Sequence, residues 1–159
     1  MTTRTTALVV GLAVLAAAWA GPLPQLATRA FWAHMTLHMA VVALAAPLLA
    51  CALAGGRMDL VRRMPQAWPA IPLSLVELVA VWAWHAPALH QFARTTLPGL
   101  VLEQATFLVA GWLVWIAALG GGPRLRTTRA TAGVAALLLT SMHMTLLGAL
   151  LALSPRPLY

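Results

Sequence analysis

The sequence predicts an all-α fold: a polytopic transmembrane helix bundle of five spans, N-terminus cytoplasmic and C-terminus periplasmic. Three observations carry this. Of 159 residues, 62% are hydrophobic and 8% charged, against roughly 45–50% and 25% in soluble domains. The apolar residues gather into five runs that approach or exceed the length a helix needs to cross a bilayer. The ten basic residues are all arginine, and they fall in the short gaps between those runs. A chain of this length forms one domain, 1–159.

The first run, about 5–21, follows Arg4 and ends at Gly21-Pro22-Leu23-Pro24. Ala18-Trp19-Ala20 has the outline of a signal-peptidase site, but the run is read as an uncleaved first helix. The second, about 30–53, is stopped by Gly55-Gly56. Pro69 and Pro72 begin the third, about 69–86, which delivers His85 to its end. The fourth, about 97–119, ends at Gly120-Gly121-Gly122-Pro123, a helix stop and not a phosphate loop. The fifth, about 130–153, is closed by Ser154-Pro155. Five spans put Arg4, Arg57, Arg62, Arg63, Arg124, Arg126 and Arg129 on one side, and Arg29, Arg94 and Arg156 on the other. The arginine-rich side is cytoplasmic by the positive-inside rule.

That accounts for the net charge of +7 without a nucleic-acid partner, since no basic stripe interleaved with aromatics is present. The lone Cys51 excludes an internal disulfide and a paired-cysteine metal site. It reads as a small core hydrophobe, and Asp59 as a solvated loop residue.

Five ionisable groups fall in the periplasmic half of this arrangement. His34 and His38 lie on one face of the second span, roughly 5 and 10 Å below its start. His85 ends the third, Glu103 sits roughly 10 Å into the fourth, and His143 lies roughly 15 Å from the outer end of the fifth. Charge is costly in lipid, so these side chains should turn inward and meet. His90, in the outer loop, reads as structural or solvent-exposed. Glu77, mid-span in the third helix, reads as an acceptor behind the cluster or as an interhelical hydrogen bond.

Imidazoles with a carboxylate suit a transition metal, with copper at the top of the affinity order. Met35, Met39, Met142 and Met144 each adjoin a histidine, and thioethers favour Cu(I) over zinc. Neighbours on a helix diverge by about 100°, however, so Met142 and Met144 cannot both face inward. The expected metal ligands are His34, His38 and His143, with His85 closing the site and Glu103 binding or orienting an imidazole. The rival is haem b held between His38 and His143 or His85. Catalytic constellations are absent from the sequence, and the chain reads as a non-enzyme.

The fragments Phe31-Trp32-Ala33-His34-Met35-Thr36-Leu37-His38-Met39, Ala46-Pro47-Leu48-Leu49, Trp84-His85-Ala86-Pro87, Leu102-Glu103-Gln104-Ala105-Thr106-Phe107, Met142-His143-Met144 with Leu146-Leu147-Gly148, and the closing Ser154-Pro155-Arg156-Pro157-Leu158-Tyr159 together resemble the CtaG family of caa3-type cytochrome c oxidase assembly factors. The likeness runs from about residue 31 to the end; family members usually carry a longer N-terminal half. It implies a multi-pass protein of the bacterial inner membrane that supplies copper to a maturing haem–copper oxidase. Its partners would be oxidase subunits or a periplasmic copper donor, in contact with membrane lipid, with a homo-oligomer also open. His34, His38, His85, Glu103 and His143 match the family's polar positions. A bis-histidine haem-binding membrane protein and a structural subunit docking to a respiratory complex are the alternatives.

Overall fold

The computed structural model describes residues 2–154, and five of its helices are long and apolar enough to cross a membrane. The tail Pro155-Arg156-Pro157-Leu158-Tyr159, with the expected periplasmic C-terminus, lies outside the described residues. Helix α1 (Thr3–Ala20) is capped by Thr2, whose hydroxyl accepts from the Thr5 N–H. The short α2 (Leu23–Ala27) starts with prolines in its first turn, where a missing N–H costs nothing.

The second span is continuous over Phe31–Leu53 but not uniform. Helix α3 (Phe31–Met39) passes through a π-helical turn, Ala40–Ala45, into α4 (Ala46–Leu53). Pro47 gives the physical reason. It has no N–H to offer the preceding turn and its ring would strike the carbonyl four residues back, so the turn before it widens. Cys51 is exposed on α4, which corrects its expected place in the core; in a bundle of this kind the exposed apolar face is the one presented to lipid.

After α5 (Leu60–Arg63) and a 3₁₀ turn at Pro65–Ala67 come α6 (Ala70–Trp84), α7 (Pro87–Thr95) and α8 (Leu97–Leu119). A 3₁₀ turn at Pro123–Leu125 leads into α9 (Arg126–Ala152). Helix α8 is the central post. Half of its apolar window (50%) is buried, against 11% for α1 and for the Pro123–Ala152 segment that contains α9. It packs on α4, α6, α7 and α9, while α1 leans on α4 and the π-turn from outside. Phe107 of α8 anchors one core cluster with Val42, Val81 and Leu147.

Lipid tails are as apolar as leucine, so close backbone approach holds such helices together rather than escape from water. Gly111 of α8 faces Val42 and Ala46, and a Cβ there would come 3.2 Å from Val42 Cγ1. Gly133 of α9 lies tighter still: a Cβ would come 3.0 Å from the Cα of Ala118. Gly133→Leu is therefore expected to force α8 and α9 apart and cost roughly 1–3 kcal/mol, read as a lowered Tm in detergent. Glu77 joins α6 to α9, accepting a hydrogen bond from the Thr140 hydroxyl. Of its two readings, the interhelical one is the observed one.

The end of the bundle opposite the histidines is tied by side chains that the sequence presented as loop charges. Asp59 is not solvated; it is fully buried. Its Oδ1 accepts from the Val61 and Arg62 N–H groups at 3.0 and 3.2 Å, capping α5. Its Oδ2 accepts from Gly55 and Gly121 at 2.7 and 2.8 Å. Both glycines have positive φ, 67° and 96°, a conformation in which any side chain is strained. Arg129 donates to the carbonyls of Trp68 and Ala117 at 3.4 and 3.2 Å, and also to Pro65. Arg4 reaches the Gly55-Gly56 corner, 2.8 Å from where a Gly55 Cβ would stand.

Candidate metal centre

At the other end, three elements converge. The N-terminal turns of α3 bring His34, α7 brings His90, and the second turn of α8 brings Glu103. All three are buried, with exposures of 2%, 3% and 0%. One ligand atom from each lies within 4.8 Å of the other two. His34 Nδ1 is 3.7 Å from Glu103 Oε2, too long for a hydrogen bond. Metal–ligand bonds of about 2.0–2.2 Å place donors up to about 4 Å apart, so the trio closes on an ion with shifts of about an ångström.

The donors are held from behind. Gln104 is itself buried, and its Nε2 donates to Glu103 Oε2 at 3.2 Å. Among the described residues, Glu103 Oε1 and His34 Nε2 have no hydrogen-bond partner. A buried carboxylate oxygen or imidazole nitrogen left so is costly, and a bound cation is one way to relieve it. Ordinary satisfied core histidines do not have this character.

The presence of His90 corrects the expectation that it is solvent-exposed. Residues 86–96 looked like a loop because they are short and polar, yet Pro87 opens a helix at its favoured first position. That helix is amphipathic: His90 and Ala93 face inward while Gln91 and Thr95 face out. Arg94 straps it down, donating through Nη2 and Nε to the Thr28 carbonyl at 3.0 and 3.4 Å. Burial, then the neighbouring His85 and Arg94, push the His90 pKa down to about 4, so at neutral pH it is an uncharged potential ligand. Its folded pKa is depressed, so its contribution to stability is complete above about 6.5, where a free imidazole titrates. Metal-free protein is expected to lose stability as pH falls from there toward 4, measurable by urea or thermal unfolding across that window.

Behind the trio stand His85 and His38. His34 and His90 meet edge to face at 4.9 Å between ring centroids, His34 and His85 at 5.7 Å, and His38 and His85 at 5.9 Å. Phe107 closes the inner end, 4.2 Å from His38. His85 caps α6 with its ring turned back, Nδ1 lying 2.8 Å from the Val81 carbonyl. A carbonyl only accepts, so Nδ1 carries the proton and the in-plane lone pair is on Nε2.

Four of the five expected residues are thus together: His34, His38, His85 and Glu103. His143 is placed elsewhere. It lies on α9 beside a groove of about 390 Å³ lined by Ser74, Leu75, Leu78, Leu139, Met142 and Leu146. Among the described residues no metal grouping or ring contact links it to the other histidines. His143 is buried there, while the residues of α9 that reach the Phe107 cluster are Met144, Leu147 and Leu151, the first of them about 100° further round. The thioethers also disperse, with Met39 47% and Met142 68% exposed.

The comparison of this chain with known families decides its kinship. The description of cytochrome c oxidase caa3 assembly factors (Caa3_CtaG) matches residues 1–159. The chain belongs to the CtaG family. The match includes the first helix, which the likeness beginning near residue 31 had left out. No curated protein and no solved structure matches this CtaG chain.

Proposed function

We propose that this CtaG protein is a non-catalytic factor of the bacterial inner membrane. It holds a copper ion in transit and helps to metallate a haem–copper oxidase. The observation that carries the reading is the convergence of buried His34, His90 and Glu103 from three elements, with His34 Nε2 and Glu103 Oε1 lacking hydrogen-bond partners among the described residues. Membership of a family described as oxidase assembly factors supplies the context. Copper is favoured over other divalent ions by the affinity order for nitrogen and oxygen donors. Met39 and Met142 face outward and supply no thioether to the site.

Protein purified in detergent from copper-supplemented cells is expected to carry about one copper per chain and no Soret absorption. Its X-ray absorption shell should contain nitrogen and oxygen near 2.0 Å, with sulfur absent. A haem spectrum would replace this reading by the haem-binding one. No metal, with no micromolar affinity for Cu(I) or Zn(II), would leave a structural subunit of a respiratory complex.

The proposed orientation puts the arginine-tied end in the cytoplasm and the histidine end outside, where an oxidase subunit or a periplasmic copper donor is accessible. A reporter enzyme active only outside the cytoplasm should work when fused after Tyr159 and be silent when inserted in the Arg57–Arg63 loop. The reverse pattern would place the histidines on the cytoplasmic side and eliminate a periplasmic donor.

A further inference from the structure

The trio leaves two buried imidazoles unexplained. His38 is fully buried, and among the described residues neither of its ring nitrogens has a hydrogen-bond partner. Its nearest ring neighbours are His85 and Phe107, and the latter offers it nothing polar. An imidazole ring centre lies about 1.1 Å from its nitrogen, and a metal–nitrogen bond is about 2.0 Å. Two imidazoles sharing one ion in a line therefore have centroids up to roughly 6 Å apart. The 5.9 Å between His38 and His85 fits that span. The tautomer of His85 fits as well, because the Val81 carbonyl holds its Nδ1 proton and puts the lone pair on Nε2.

Building on the reading of the trio as a copper site, we infer that His38 and His85 form a second, deeper ion position. It is specific for a monovalent soft cation such as Cu(I) or Ag(I). Charge makes the distinction. At the trio, Glu103 neutralises one positive charge, so Cu(I) is held without net charge and a divalent ion with +1. At the inner pair both ligands are neutral. A monovalent ion there carries +1 and a divalent ion +2, in a buried setting closed by Phe107 where uncompensated charge is expensive. Two-coordinate nitrogen ligation suits a d¹⁰ monovalent ion and starves a divalent one of ligands. His34 touches both His90 and His85, so an ion can pass inward by ligand exchange. One imidazole–metal bond forms as another breaks, and no electron moves. The trio captures; the pair selects.

The test uses the full chain in detergent with Zn(II) and Cu(I) as probes. His90→Ala/Glu103→Gln disables the trio. This double variant is expected to lose Zn(II) binding yet retain one Cu(I) per chain, with X-ray absorption showing two nitrogen neighbours. Adding His38→Ala, or separately His85→Ala, should remove that Cu(I). The converse variant, His38→Ala alone, should bind Zn(II) as wild type does and lose the two-nitrogen Cu(I) signature. The proposal is overturned if the double variant loses both metals, if Cu(I) survives both His38→Ala and His85→Ala in that background, or if the retained site takes Zn(II) equally well. Wild-type protein that binds neither metal would instead defeat the underlying copper reading. A Tm within a few degrees of wild type in each variant separates ligand loss from misfolding, and the two independent inner substitutions guard against either one failing to fold.

Discussion

His90→Ala should reduce Zn(II) affinity by more than about a hundredfold, whereas His143→Ala should leave it unchanged. Loss of groups one step removed from an ion already costs roughly 10–100-fold, and His90 is placed to touch the ion itself. His34→Ala and Glu103→Gln should match it, because each supplies one of three donor atoms within 4.8 Å of the others. Gln104→Ala belongs in the lesser range, since it only steadies Glu103 through one 3.2 Å hydrogen bond. Competition against a chromophoric chelator gives all five values. Loss with His143→Ala and retention with His90→Ala would restore the ligand set expected from spacing and remove α7 from the site.

The second large effect lies at the opposite end. Asp59→Ala should cost about 3–5 kcal/mol, close to the top of the range for single substitutions. Four backbone N–H groups, from Gly55, Val61, Arg62 and Gly121, lose their acceptor. Hydrogen bonds to a charged group are worth about 1.5–3 kcal/mol each when made, but water reaching the vacated corner recovers part of that. Asp59→Asn should lie between the two. It keeps an oxygen for α5 and turns an NH₂ toward the two glycine N–H groups. Unfolding in a denaturant series gives the ranking, and an alanine variant as stable as wild type would show that the two loops are joined by something else.

Much of the fold was legible because a bilayer imposes simple rules. Long apolar runs must be helices, and ionisable groups within them must face protein. That reasoning turned His34, His38, His85 and Glu103 toward one another, and all four are buried at one end of the bundle. It missed His90 because it treated everything between spans as loop, although Pro87 at a helix start and the inward spacing of His90 and Ala93 were visible signals. It misjudged Asp59 for the same reason; an aspartate two residues before Val61 and soon after the Gly55-Gly56 pair has the mark of a cap. His143 was placed by depth alone. Depth fixes the level of a residue along a helix but not its direction: His143 is buried, but beside Ser74, Leu75 and Leu78 of α6 and not with the other histidines. The π-turn at Ala40–Ala45 compounds that difficulty, since a widened turn shifts the facing of residues before it relative to those after it.

The bundle is fastened unequally at its two ends. The arginine end is stitched through Asp59 and Arg129 into α5, α8 and three loop segments. The histidine end is covered by α7, which Arg94 hooks to a single carbonyl, that of Thr28. Local opening costs least where fewest bonds hold, so α7, held by its packing on α8 and by that one strap, is expected to open before the spans do. Because His90 rides on that helix, each such opening would also strip one ligand from an ion held as proposed. The rate at which an ion held as proposed would leave then depends on one peptide oxygen, 66 residues along the chain from the arginine that grips it, and not on the overall durability of the fold.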